Sequence, residues 1–190
     1  MQEDNPKDRK LKLQPIMLVV LILIGGGIIF LLQTKDSSFN LSGKPRLGKG
    51  AAAPGFSLPG LDGKMITLAD YKGKVVFLNI WATWCPPCVQ EMPSMEKLYQ
   101  ELNGEGFEIL AVSIDASGGE SVIPFMKKYG LSFPALLDTK GSIKSLYQTT
   151  GVPESFIIDK NGIIAEKIIG PREWDSPDAI RLIRNLIQSQ

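Results

Sequence analysis

Histidine is absent from all 190 residues, and cysteine occurs only twice, at Cys85 and Cys88. A zinc site takes four N, S or O ligands, or three and a water. Two cysteines without histidine therefore leave no conventional zinc or haem site within one chain. A charge excess is missing too: 21 Lys and Arg face 20 Asp and Glu, a formal net charge of +1. That balance gives no global case for a nucleic-acid partner. It conceals an asymmetry, however. Residues 1–53 carry 8 basic against 4 acidic side chains, and residues 54–190 carry 13 against 16, net −3.

The asymmetry surrounds a segment with no charge at all. Residues 16–32 read IMLVVLILIGGGIIFLL, 17 uncharged positions, against the roughly 17–25 that span a bilayer core as a helix. Gly25, Gly26 and Gly27 are better tolerated in lipid than in a soluble helix. A core helix would show a polar face, and this run shows none. A cleaved signal peptide is the closer alternative, but QTKDSSFN after the run lacks a small-x-small cleavage pattern. The sequence thus predicts an uncleaved anchor. Lys7, Arg9, Lys10 and Lys12 precede it, and only Lys35 follows within ten residues. The positive-inside rule then keeps residues 1–15 as a cytoplasmic basic tail. The expected arrangement is a single pass of the cytoplasmic membrane at 16–32, a tether at 33–53 and an extracytoplasmic domain at 54–190.

That domain reads as alternating strands and helices. FSLPGLDGKMITL suggests a hairpin turning near Asp62-Gly63. The unbroken apolar runs at Val75 to Trp81 and Phe107 to Ile114 predict buried strands. Helical spacing runs from Cys85 to about Leu102, and a second helix spans Ser121 to Tyr129 with Gly130 as its stop. A short strand at Ala135 to Leu137 and a short helix at Ser142 to Tyr147 follow. Strands at Phe156 to Asp159 and Ile163 to Ile169 flank the Lys160-Asn161-Gly162 turn. Ser176-Pro177 opens a last helix. The pattern implies an α/β fold with a mixed central sheet.

The two cysteines sit in NIWATWCPPCVQEMP. As a staple they do little: a four-residue loop restricts the unfolded chain by about 2 kcal/mol. As a reaction centre they are well placed. A thiol at the start of a helix faces the positive end of the macrodipole, which stabilises its thiolate. The sequence therefore predicts Cys85 as an exposed attacking sulfur and Cys88, one turn deeper, as the resolving one. Pro86 and Pro87 suit the first helical turn. They also remove two N–H groups that would otherwise point at Cys85, which predicts only moderate thiolate stabilisation and a reducing couple.

Glu91 follows Cys88 by three residues on the same helix side, in reach to take or give the resolving proton; the alternative is an ordinary exposed glutamate. Asn79 lies inside an apolar strand and reads as structural, requiring a hydrogen-bond partner. Trp84 is placed to frame a substrate surface, whereas Trp81 reads as core. Pro93 should kink its helix. In GVPESFIID, Pro153 reads locally as an ordinary trans loop proline. A cis bond there would turn the Val152 backbone toward the cysteines, free to pair with an extended peptide.

WATWCPPC, with the apolar strand before it and EMP after it, resembles the thioredoxin superfamily. More narrowly, it is similar to the membrane-anchored TlpA/ResA/CcmG-type thiol–disulfide oxidoreductases. The resemblance extends over nearly all of residues 50–190. It takes in APGFSLPGLDGK, the inserted strand–helix segment through FMKKYGLSFPALLD, GVPESFIID and GPREWDSP. It implies a thioredoxin-like fold with an N-terminal β-hairpin. It implies Cys85 as attacking and Cys88 as resolving cysteine, Glu91 as proton carrier and Pro153 as cis. It further implies a disulfide-containing protein substrate, apocytochrome c, a membrane dithiol as electron donor and no bound cofactor. The chain departs from ResA in having Pro-Pro between the cysteines and Val89 after them, and Glu154 is similar to the CcmG branch. Three rivals remain. One is a thiol oxidant. Another is a peroxidase of peroxiredoxin type, although Thr83 stands two residues before Cys85 where that motif has three. The third is a binding module that merely keeps the fold.

Overall fold

The computed structural model describes residues 47–189. The expected tail and anchor, and the tether up to residue 46, lie outside them. Among the described residues, no helix is long and apolar enough to cross a membrane.

Two short strands, β1 (Ser57–Pro59) and β2 (Met65–Thr67), pair antiparallel as the expected hairpin. Then follow β3 (Val75–Trp81), α1 (Pro86–Leu102), β4 (Phe107–Ser113), α2 (Gly119–Tyr129), β5 (Ala135–Leu137) and α3 (Ser142–Leu146). The chain ends with β6 (Glu154–Ile158), β7 (Ile164–Ile169) and α4 (Pro177–Gln188). The main sheet has the order β5-β4-β3-β6-β7. Strand β3 runs parallel to β4 and antiparallel to β6, so the sheet is mixed. Every residue of β3 is buried, because both faces of this central strand are covered.

The period of two along β3 decides where the site forms. Val76, Leu78 and Ile80 face a core layer with Ile143, Tyr147 and Phe156. Val75, Phe77 and Trp81 face the other layer, with Met92, Met95 and Leu98 of α1 and Ile183 of α4. Asn79 shares that second parity, so its side chain points toward α1.

Helix α2 starts at Gly119 where the sequence suggests Ser121, and β4 stops at Ser113 where it suggests Ile114; two further differences bear on the site. Strand β6 begins at Glu154, two residues before Phe156. A glutamate and a serine read as turn residues, but both find partners inside the fold. The tether expected to run to residue 53 is also partly folded. Gly50 N donates to Ile164 O, Ile164 N to Ala51 O and Ala53 N to Gly162 O, at 2.8–2.9 Å. Small residues let this segment lie along the start of β7. Gly130, in contrast, ends α2 in the left-handed conformation at φ 62°, as expected of it.

Candidate active site

Strand β3 delivers Trp81 to the end of the sheet, and a short loop carries the chain into α1. Asp115, just beyond β4, fixes that loop. Its carboxylate accepts from Thr83 N at 2.9 Å, Thr83 Oγ1 at 2.6 Å and Ser113 Oγ at 2.7 Å. The Thr83 hydroxyl is thus committed away from the cysteines. The three arginines among the described residues pair elsewhere, with Glu166, Asp178 and Glu101.

Cys85 is the N-cap of α1, and Pro86 and Pro87 occupy its first positions. Cys85 and Cys88 form a disulfide with Cα atoms 5.3 Å apart. The prolines leave one amide for the first sulfur: Cys88 N donates to Cys85 Sγ at 3.3 Å. The expected exposure of Cys85 needs correction. In the disulfide form it is 4% exposed, while Cys88 is fully buried and neighbouring Trp84 is 64% exposed. The outer sulfur lies at the floor of a surface that Trp84 frames, because the cap position turns its side chain back over the helix end. Trp81 is core, as expected.

The Val152–Pro153 peptide bond is cis. Cys85 Sγ lies 3.5 Å from Val152 O, so the loop before β6 faces the attacking position. Gly170 N donates to Pro153 O at 2.9 Å. Glu154 is fully buried behind the loop. One of its oxygens accepts from Thr150 N at 3.0 Å and the other meets Lys167 Nζ at 2.7 Å.

Glu91 is buried, at 3% exposure. Three donors surround its carboxylate. Asn79 Nδ2 reaches Oε1 at 2.9 Å; Trp174 Nε1 and Arg172 N reach Oε2 at 3.0 and 3.3 Å. Asn79 Nδ2 also donates to Ser155 Oγ at 3.0 Å, so the amide nitrogen finds two acceptors, while the buried Oδ1 has no partner among the described residues. Burial pushes the Glu91 carboxyl above the ordinary glutamate value, and the bonds from Trp174, Asn79 and Arg172 oppose that rise without cancelling it. A buried carboxyl with raised proton affinity, one turn from a buried thiol, is suited to proton exchange.

A stability signature follows. The folded chain holds the Glu91 proton more tightly than the unfolded chain. Its stabilising contribution is fully present below the ordinary value of 4.5 and is lost as pH rises through the raised native value. Urea midpoints measured across that window should decline in the parent relative to Glu91→Gln. Parallel curves would show that Glu91 titrates normally.

The structure brings Cys85, Cys88 and the Val152 carbonyl together, with Trp84 exposed next to Cys85 and Pro153 cis after Val152, and it buries Glu91 one turn beyond Cys88 on α1. Sequence reasoning missed Trp174, Asp115 and Lys167. The one available signal was a third tryptophan inside GPREWDSP, placed after the last strand.

Fold and site together define a class: thioredoxin-like thiol–disulfide oxidoreductases, which exchange a dithiol for a partner's disulfide. The AhpC/TSA family model matches residues 49–167, and the chain belongs to that family. It is 40% identical to the thiol-disulfide oxidoreductase ResA of Bacillus cereus (strain ATCC 10987 / NRS 248) over 153 residues, 80% of this chain and 86% of that protein. With ResA of Bacillus subtilis (strain 168) it shares 38% identity over 167 residues, 86% of this chain and 87% of that one. A crystal structure from Chlorobium tepidum, assigned as the thiol:disulfide interchange protein DsbE, superposes with a TM-score of 0.69 at 35% identity. That match covers 74% of this chain and 99% of the other.

Proposed function

We propose that this oxidoreductase is tethered by residues 16–32 to the outer face of the cytoplasmic membrane and reduces apocytochrome c there before haem attachment. Residues 1–15 stay in the cytoplasm, 33–53 lead to the domain, and a membrane dithiol restores the reduced enzyme. The carrying observation is the placement of Cys85: capping a helix, 3.5 Å from Val152 O and beside exposed Trp84. An extended peptide can pair with the Val152 backbone while its disulfide meets the outer sulfur. The likeness to ResA and DsbE supports the substrate class, and the basic residues before the apolar run support the orientation.

The reaction has two exchanges. Cys85 thiolate attacks one sulfur of the substrate disulfide, that bond breaks, and the departing thiolate takes a proton from water. Cys88 then gives its proton to Glu91 and attacks Cys85 Sγ. The mixed disulfide breaks, the second substrate sulfur leaves as a thiolate that takes a proton from water, and Cys85–Cys88 holds the oxidised equivalent. Pro86 and Pro87 favour this direction, because withdrawing two amides from Cys85 leaves its thiolate less stabilised. A couple near about −120 mV would instead mark an oxidant.

Trapping tests the proposal. In cells expressing Cys88→Ala, mixed disulfides should accumulate on Cys85 in the membrane fraction, and mass spectrometry should find apocytochrome c cysteines attached. Adducts in the soluble cytoplasm would overturn the tether. Adducts with other proteins alone would overturn the substrate.

A further inference from the structure

The chain after β7, residues 170–174, forms a strap over the α1 turn that carries Glu91 and holds it through Arg172, whose N donates to Glu91 Oε2 at 3.3 Å, and through Trp174 at two points. Trp174 N donates to Ser94 Oγ at 3.1 Å, and that hydroxyl donates to Glu91 O at 2.8 Å. Trp174 Nε1 donates to the Glu91 carboxylate at 3.0 Å. The indole is itself immobilised. It is fully buried, its centroid lies 4.2 Å from that of Phe77, and the Arg172 guanidinium stands 5.3 Å from its ring. Filling this space needs only an aromatic ring. An N–H aimed at a buried carboxylate adds something packing does not require.

Glu91 also borders an open cleft of about 230 Å³, lined by Gln90, Glu91, Ser94, Pro171, Arg172 and Glu173. Gln90, Pro171 and Glu173 are exposed, so the cleft links the carboxylate to solvent on the strap side. The other titratable or charged groups around Glu91 are Cys88 on α1 and Arg172 and Glu173 on the strap. Strands β3 and β6 present the neutral Asn79 and Ser155.

We propose that Trp174 is a positioning residue for the redox site: its indole N–H fixes the Glu91 carboxylate against the cleft and sets the pH at which Glu91 passes the Cys88 proton to solvent. The inference rests on the reading of Glu91 as proton carrier. In the resolving step Cys88 S–H gives its proton to Glu91, the new thiolate attacks Cys85 Sγ, and the substrate thiolate leaves and takes a proton from water. Glu91 then releases its proton through the cleft. A hydrogen bond to a carboxylate favours the ionised form. Losing the Trp174 donor therefore makes Glu91 hold its proton to higher pH.

The test is the pH profile of substrate reduction by the pre-reduced protein. In Trp174→Phe, the limb that depends on Glu91 should move upward by about one pH unit, the effect of one hydrogen bond to a charged group. Glu91→Gln should remove that limb, and adding Trp174→Phe to it should change nothing further. If Glu91→Gln leaves the profile intact, the proton-carrier reading fails and this inference with it. If Glu91→Gln removes the limb but Trp174→Phe leaves it in place, only the role of Trp174 is overturned. A shift that persists in the Glu91→Gln background would show general distortion and also overturn it. Should Trp174→Phe fail to fold, benzothienylalanine at position 174 replaces it, with sulfur for the indole N–H in the same outline and the same outcomes.

Discussion

Cys85→Ser is expected to bring disulfide reduction down to the rate of the reducing buffer alone, whereas Cys88→Ser should complete one attack per molecule and then stop. The difference comes from position. Cys85 caps α1 and keeps a sliver of solvent access beside Trp84; Cys88, one turn on, has none. A foreign disulfide is therefore expected to meet Cys85 first. Serine at 85 offers a hydroxyl where the reaction needs a thiolate. With serine at 88 the first exchange proceeds, but the mixed disulfide lacks its internal attacker. Insulin reduction under dithiothreitol measures turnover, and a chromogenic aromatic disulfide measures the single attack. A burst from Cys85→Ser and none from Cys88→Ser would invert the two roles. Full turnover in both would leave only a binding module.

The parts of this site that are close in sequence were legible, and those brought together by folding were not. The bounds of β3 at Val75 and Trp81 are legible because a central strand covered on both faces is apolar at every position but Asn79. Cys85, Cys88 and Glu91 share one helix, so their order along it follows from its pitch. The donors that hold Glu91 carry no such signal. Trp174 is 83 residues away, and only the closing of the strap over α1 brings its N–H to the carboxylate. Asn79 was expected to need a partner, but its identity depended on which face of β3 it occupies. Pro153 shows the same limit: its local sequence read as trans, the family resemblance implied cis, and the folded chain has it cis. Polar Glu154 and Ser155 hid the start of β6, since only the fold supplies Lys167 and Asn79 to receive them.

Glu154 bears the second large effect: Lys167→Met should destabilise the domain by about 3–5 kcal/mol, the cost of leaving one member of a buried ion pair alone. The Glu154 side chain is fully buried, and that of Lys167 is 18% exposed. The oxygen facing Lys167 Nζ at 2.7 Å has no other partner, so methionine leaves it with nothing. Lys167 Nζ also stands 5.1 Å from the Phe156 ring centroid, a contact methionine keeps only as packing. Adding Glu154→Gln should restore most of the loss, because the amide oxygen can still accept from Thr150 N and no charge stays buried. Urea denaturation of the parent, both single variants and the pair closes the cycle. The consequence reaches the site. Glu154 holds Thr150, and residues 150–153 carry the Val152 carbonyl that faces Cys85. The folded fraction of Lys167→Met should therefore bind peptide substrate more weakly, while the double variant recovers both stability and binding. A Lys167→Met protein within about 1 kcal/mol of the parent, the range of an exposed pair, would mean that this contact contributes no more than a surface ion pair. Positioning of the loop beside Cys85 would then rest on the Gly170 N bond to Pro153 O instead.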